Sequence, residues 1–260
     1  MSKRLISLSL LMTISLLAPA NGAQQPSQTP ARMAAPAPPR DLTGVWAGSA
    51  VMQLEPVPEM TPLGQKLFDE AKPLYGPSAL AVADSNDPLV TCDPLGFPRN
   101  VFYELRGVEF SHGRNKVVQL FQYQRVWREI WTDGRKLPAD VGGTSANAPD
   151  ARWYGYSVGR WADDYTFVVE TTGFNEKAWS DQFGHPRSLN AHVEERYHRI
   201  DHDTLELTVT VNDPKIYTKS FVGMKQILRW NPTQELEEQF CVPSEAAEYL
   251  SIFKPAAAPK

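Results

Sequence analysis

Cysteine, long apolar runs and excess positive charge are all scarce in this sequence of 260 residues. Only two cysteines occur and no CxxC motif is present, which argues against a thioredoxin-type redox site. The formal net charge is −4, so there is no electrostatic reason to expect binding to nucleic acid or anionic lipid. There is no phosphate-binding loop and no dinucleotide fingerprint, and we therefore expect no cofactor.

The first 23 residues have the three parts of an export signal: basic Lys3 and Arg4, an apolar run from Leu5 to Leu17, and small residues up to Ala23. The run is shorter than the roughly 20 residues of a membrane anchor, and no later segment is apolar enough to span a bilayer. We expect an exported protein, periplasmic or extracellular. Residues 24–40 hold five prolines and no aromatic residue, which predicts a disordered tether before a single domain over 41–260.

The two cysteines fit this compartment. An oxidising environment allows Cys92 and Cys241 to form one disulfide, and both lie near proline in polar, loop-like segments. That context suits a staple between loops better than a reactive thiol, and the alternative is two buried free thiols.

The folded part is predicted to be mainly β, with one or two short helices. Short apolar runs separated by turn residues indicate about eight strands with hairpin connections. The clearest is 204–212, where leucine and valine alternate with polar residues and give the strand one dry face. A helix is predicted after Thr61, which is a good N-cap followed by Pro62, and a second over 244–253. Such strands close most economically into an antiparallel up-and-down barrel, which removes exposed edges.

The first of two resemblances supports a barrel. The segment Leu42-Thr43-Gly44-Val45-Trp46, followed by a β meander, resembles the start of a lipocalin-like (calycin) barrel. In that superfamily a Gly-x-Trp packs beneath an arginine near the last strand, a role that the resemblance implies for Arg229. The long excursion between the first strand and Gly107 departs from a minimal lipocalin, so the resemblance concerns architecture.

The second resemblance covers nearly the whole mature chain. The phrases NDPLVTCDPLGFPR, QYQRVWREIWTDGR, RWYGYSVGRW, HVEERY and QFCVPSEAAEYL are similar to those of a largely uncharacterised family of exported bacterial proteins. The resemblance implies an exported single domain and carries no particular activity.

One strand alternates aromatic and charged side chains in a way that suggests a binding site. Trp127, Glu129 and Trp131 share one face, with Arg128 on the other between apolar neighbours. Our leading hypothesis is that the barrel interior binds a small apolar or aromatic molecule. Its walls would be Tyr123, Trp127, Trp131 and Tyr156, with Glu129 and Arg196 as polar anchors. The alternative is that the tryptophan face is a surface ladder.

Four of the five histidines fall between 185 and 202. His192, Glu194 and Arg196 share one face of a strand and would give a barrel interior a base, an acid and a cation. The alternative function is therefore a cofactor-independent lyase, isomerase or hydrolase. His185 or His192 would be the general base, with Glu194 or Glu195 as its partner. Otherwise this row faces water, with Val193 and Tyr197 in the core.

Two further patterns carry less chemistry. Residues 155–159 match the G-x-S-x-G nucleophile elbow of hydrolases, but Ser157 is followed by a turn and a strand instead of the required helix. His198 and His202 are four apart, a spacing that does not converge on a strand and turn, so we expect no metal site.

Overall fold

The computed structural model describes residues 35–48, 56–102 and 107–253. The predicted export signal and most of the predicted tether lie outside these ranges. Nine strands of the described residues form one closed barrel in chain order, where about eight were predicted. The strands are β1 (Gly44–Ala47), β2 (Val108–His112), β3 (Lys116–Phe121), β4 (Trp127–Trp131), β5 (Tyr156–Trp161), β6 (Thr166–Thr172), β7 (His192–Asp201), β8 (Thr204–Asn212) and β9 (Phe221–Trp230).

Short helices lie between and after the strands. They are α1 (Pro62–Glu70), α2 (Arg99–Phe102) and α3 (Pro243–Phe253), with single 3₁₀ turns at Val82–Asp84 and Pro88–Thr91. Helix α1 begins as predicted, because the Thr61 side chain accepts a hydrogen bond from the Gly64 amide at 3.0 Å. None of the described helices is long and apolar enough to cross a bilayer.

One junction of the barrel is parallel, which departs from the expected antiparallel meander. Strands β4 and β5 pair in parallel, whereas every other neighbouring pair is antiparallel. A closed ring of nine strands cannot alternate direction throughout, so at least one pair must run the same way. Residues 132–155, here called the crossover segment, carry the chain back along the barrel after β4. Strand β5 therefore starts at the same end of the barrel as β4 and runs parallel to it.

The long connections gather at one end of the barrel, here called the plugged end. These are residues 56–102, 173–191 and 213–220, and the strands β2, β4, β5, β7 and β9 all start there. Phe97, Val101, Phe102 and Phe174 are buried among these connections and join the barrel core. Together these connections form the plug, which also contains the buried ion pair of Arg99 with Asp87, made by two hydrogen bonds of 2.7 Å.

The barrel interior is filled by inward-pointing side chains. On β8 the predicted dry face is confirmed, since Leu205, Leu207, Val209 and Val211 are all buried. Trp46 on β1 is fully buried, and the guanidinium above its ring is that of Arg199 at 5.0 Å. The arginine expected there was Arg229, which instead is exposed and donates to Thr204.

The predicted disulfide is present. Cys92 and Cys241 are bonded, with a Cα–Cα distance of 5.3 Å, and join the plug to the segment that precedes α3. The chain contacts the barrel earlier than the predicted start at Asp41. The Ala35 carbonyl accepts from the His202 amide at 2.8 Å, and Arg40 pairs with Asp164 at 3.0 Å.

Candidate ligand-binding cleft

A cleft of about 590 Å³ opens on the outside of the barrel beside the parallel junction. Its walls are β4, the crossover segment and the start of β5, and we call it the outer cleft. The cleft exists because β4 and β5 pair at only two positions, Ile130 with Ser157 and Trp131 with Val158. Before these positions the two strands are not paired, and the crossover segment passes outside the gap with Leu137 and Pro138 against it.

Five aromatic side chains line the outer cleft. They are Trp127, Trp131, Trp153, Tyr154 and Tyr156. Trp127 is 65% exposed, a large fraction for a tryptophan, which leaves its ring free to contact a ligand. Two of the rings carry cations: the Arg135 guanidinium lies 3.6 Å from the Trp131 ring, and that of Arg152 lies 4.0 Å from the Tyr156 ring.

Four cationic side chains and one acidic side chain complete the lining. The cations are Arg128, Arg135, Lys136 and Arg152, and the acid is Glu129. Glu129 is neutralised by Lys116, which donates a hydrogen bond to it, and Arg135 pairs with Asp133 at 2.6 Å. The lining is therefore positive.

Buried Arg187 connects the cleft, at Trp153, to the plugged end of the barrel, at Phe97. Its guanidinium donates to the carbonyl oxygens of Phe97, Trp153 (3.3 Å) and Asn175 (3.1 Å). Burial lowers the pKa of Arg187 to about 9, so the side chain stays cationic at neutral pH. Burial also raises the pKa of neighbouring Tyr154 to about 12, which keeps its hydroxyl neutral. Trp153 and Tyr154 are thus fixed in place.

Four of the six predicted binding residues meet in this cleft, but on the outside of the barrel. Trp127, Glu129, Trp131 and Tyr156 line it, so the hypothesis of an internal site walled by them is corrected: the tryptophan face of β4 points outward. Arg128 is the inward residue, because its charge has a buried partner across the barrel and that of Glu129 does not.

The other two predicted binding residues lie elsewhere. Tyr123 follows β3, bridges to Gln239, and has its pKa raised to about 12 by burial. Arg196 lies on the outer face of β7, 4.0 Å from Glu194.

The histidine row of β7 also points outward, contrary to its predicted place in the barrel interior. His192 lies 3.9 Å from Glu170 on the outer face, and Glu194 and Arg196 are partly exposed there. The inward row is Val193, Glu195, Tyr197 and Arg199. This row points inward because Val193 and Tyr197 fill the core, Glu195 pairs with buried Arg128, and Arg199 donates to the Asp41 carbonyl.

The inward row brings a polar network into the barrel. Arg128 donates to Glu195 Oε2 at 2.5 Å, and the Tyr197 hydroxyl donates to Glu195 Oε1 at 2.5 Å. Gln119 then donates to the Tyr197 oxygen at 2.9 Å. Burial, followed by the charge of Glu195, raises the pKa of Tyr197 well above its ordinary value. Glu195, predicted as a catalytic partner, is here a buried counter-ion.

A second polar cluster lies at the plugged end around His185. Asp181 is fully buried, and its Oδ1 accepts the amides of Phe183 at 2.9 Å and His185 at 3.3 Å. Its other oxygen is hydrogen-bonded to His185 Nδ1, and the imidazole stacks on Phe68 with centroids 4.8 Å apart. The predicted base His185 therefore has a carboxylate partner, but this partner is Asp181 and not Glu194 or Glu195.

The remaining motifs are structural or absent from the described part of the chain. Ser157 points into the barrel and shares a 2.9 Å hydrogen bond with Thr171, so it is no exposed nucleophile. Within residues 35–48, 56–102 and 107–253, no three His, Cys, Asp or Glu side chains are grouped as a metal site.

Sequence reasoning missed several residues of the cleft. Trp153, Tyr154, Arg135 and Arg152 come from the crossover segment and were not among the predicted site residues. The signal available was the phrase Arg-Trp-Tyr-Gly-Tyr at 152–156, where three aromatic residues fall within four positions. Compared with protein-family models, with curated proteins and with solved structures, the chain has no match, so the site rests on its own geometry.

Proposed function

We propose that this is an exported protein that binds a small apolar or aromatic molecule in the outer cleft. The observation that carries the proposal is the group of five aromatic side chains around a cleft of about 590 Å³, a size that suits a small organic ligand. Because side chains fill the barrel interior, the outer cleft is the place for such a ligand. Export is supported by the N-terminal leader pattern and by the disulfide.

Trp127 is the residue to test first. Its exposed ring contributes little to the core, so removing it should affect binding and leave folding intact. The probe is the neutral fluorescent amine N-phenyl-1-naphthylamine, titrated into the mature protein. We expect saturable binding that weakens at least about tenfold in Trp127→Ala.

The matched control is Tyr165→Ala, since Tyr165 is 43% exposed but lies in the turn between β5 and β6, away from the cleft. This variant should bind the probe like the natural protein. Equal affinities in all three proteins, or no binding at all, would reject the outer cleft as the site.

A second candidate function, a cofactor-independent hydrolase, lyase or isomerase, is favoured by the Asp181–His185 pair. A carboxylate on Nδ1 fixes the imidazole in the tautomer whose Nε2 accepts a proton, as a general base requires. The test is turnover of a panel of aryl esters by the natural protein and by His185→Gln, with His192→Gln as the exposed control. Turnover that survives His185→Gln would refute this candidate.

A further inference from the structure

The buried cation beneath the outer cleft has unused hydrogen-bond donors. Arg128 is almost fully buried; its Nη2 donates to Glu195, and its guanidinium lies 4.1 Å from the centre of the Phe97 ring. Its Nε and Nη1 are buried with no hydrogen-bond partner among the described residues. Buried N–H groups without a partner are unfavourable, so two on one guanidinium call for an acceptor that the described residues do not supply.

These unused donors belong to Arg128, which is one of the residues that line the cleft. On its β3 side, Arg128 is paired with Gln119 and the sheet is continuous. On the other side, the β4–β5 pairing starts only at Ile130, two residues further along, and the barrel wall is open at the level of Arg128. A ligand group therefore has to insert into this gap to reach the guanidinium, whose two unused nitrogens are themselves buried.

The rim of the cleft adds positive charge that nothing nearby cancels. Within the described part of the chain, neither Arg152 nor Lys136 has a carboxylate within 4.0 Å. Arg152 instead lies on the Tyr156 ring, where its planar group stays oriented along the cleft wall. The cations at the rim attract an anion, and the aromatic side chains accept a flat apolar body.

We infer that the ligand of the outer cleft is an aromatic carboxylate whose carboxylate group is bound by Arg128, with Arg152 and Lys136 at the rim. This inference rests on the proposed binding function and names its ligand class. A carboxylate accepts charge-assisted hydrogen bonds from a guanidinium, and the Nε and Nη1 of Arg128, which lie on different edges of the group, can each donate one. Glu195 occupies the third nitrogen and opposes the incoming charge, so its removal should strengthen binding.

The experiment compares two ligands of nearly equal shape, 2-naphthoate and 2-naphthamide, by isothermal titration calorimetry with the mature protein. We expect naphthoate to bind at least about tenfold more tightly than naphthamide. Part of this preference should persist in about 1 M NaCl, where exposed charges are screened but a buried one is not. Equal affinities would overturn the inference and leave the proposed function standing, whereas binding of neither ligand would remove both.

Variants assign the preference to Arg128. The double variant Arg128→Met with Glu195→Met removes both charges together, which keeps the interior neutral and the fold intact. It should lose most of the preference for naphthoate over naphthamide. Glu195→Gln, which frees the guanidinium, should bind naphthoate several-fold more tightly.

The surface control is Arg160→Gln, an exposed β5 cation outside the cleft, and it should change neither affinity. An unchanged naphthoate preference in the double variant would overturn the role of Arg128, and so would weaker naphthoate binding by Glu195→Gln. Loss of preference in Arg160→Gln as well would mean that general surface charge, and not Arg128, selects the anion.

Discussion

Arg128 Nη2 lies 2.5 Å from Glu195 Oε2, and this pair joins β4 to β7 through the interior of the barrel. The two strands are not neighbours in the sheet, so no backbone ladder connects them. Both side chains are almost fully buried, and Tyr197 supplies a further hydrogen bond to the carboxylate. The pair therefore determines which face of each strand points inward.

Removing one member of this pair should destabilise the protein strongly. Glu195→Gln leaves the Arg128 charge buried without a counter-ion, and we expect the free energy of unfolding to fall by about 3–5 kcal/mol. The double variant Arg128→Met with Glu195→Met should lose much less, because no charge remains buried. Urea unfolding of the three oxidised proteins measures both effects. A double variant that loses as much stability as Glu195→Gln would contradict this account.

The buried pair also explains why sequence reasoning found the strands but not the site. The β8 pattern was sufficient because polar residues occupy only one of its faces, so the dry face was unambiguous. On β4 and β7 both faces carry charge, and alternation alone cannot say whether Arg128 or Glu129 points inward. The decision depends on Glu195, which is 67 residues away in the chain and on a non-adjacent strand.

The outer cleft was beyond sequence reasoning for a different reason. It depends on the parallel β4–β5 junction, which follows from strand number and from the course of the crossover segment. Neither property has a local pattern in the sequence. The sequence pointed to the aromatic residues of β4 as candidates for a site, whereas Trp153 and Arg152 join the lining of the cleft only once the crossover segment brings them beside β4.

The disulfide should contribute substantially to stability. Cys92 and Cys241 are 149 residues apart, and closing a loop of that length stabilises the folded state by about 5 kcal/mol in the chain-entropy model. The variant with both cysteines replaced by serine should unfold at a lower urea concentration. Because α3 has no buried residue, it should also become a site of rapid chymotrypsin cleavage at Tyr249. Equal cleavage of both proteins would mean that the disulfide does not hold α3 in place.

Four tyrosines should make the protein sensitive to alkali. Burial raises the pKa of Tyr123 and Tyr154 to about 12, and that of Tyr197 and Tyr217 well above the ordinary value. The unfolded chain releases these protons near pH 10, so their contribution is complete below about pH 10 and is lost as pH rises towards 12. The free energy of unfolding should therefore decrease across this window. The decrease in the free energy of unfolding should be smaller in Tyr154→Phe than in the natural protein. An identical pH dependence in these two proteins would contradict a contribution from the raised pKa of Tyr154.

The substitution Gly64→Ala tests whether close packing or helix propensity has the larger effect on stability at α1. Alanine favours a helix interior over glycine by about 1 kcal/mol, so propensity alone predicts that Gly64→Ala is stabilising. However, Gly64 is the buried residue of α1, and a Cβ there would overlap the carbonyl oxygen of Ile216, a backbone atom that cannot rotate away. The leucines of the same helix, Leu63 and Leu67, are exposed and contribute little to the core, so they cannot compensate for this overlap.

We therefore expect Gly64→Ala to lower the free energy of unfolding by about 1–3 kcal/mol, the usual range for overpacking a close contact. The matched control is Gln65→Ala, which also raises the helix propensity but at an exposed position of the same helix. It should change the free energy of unfolding by less than about 0.5 kcal/mol. Thermal and urea unfolding of both variants decide the matter. If the Gly64→Ala protein is as stable as the natural one, α1 can move away from residues 213–220 with little loss of free energy. The plugged end would then be less tightly packed than its contacts indicate.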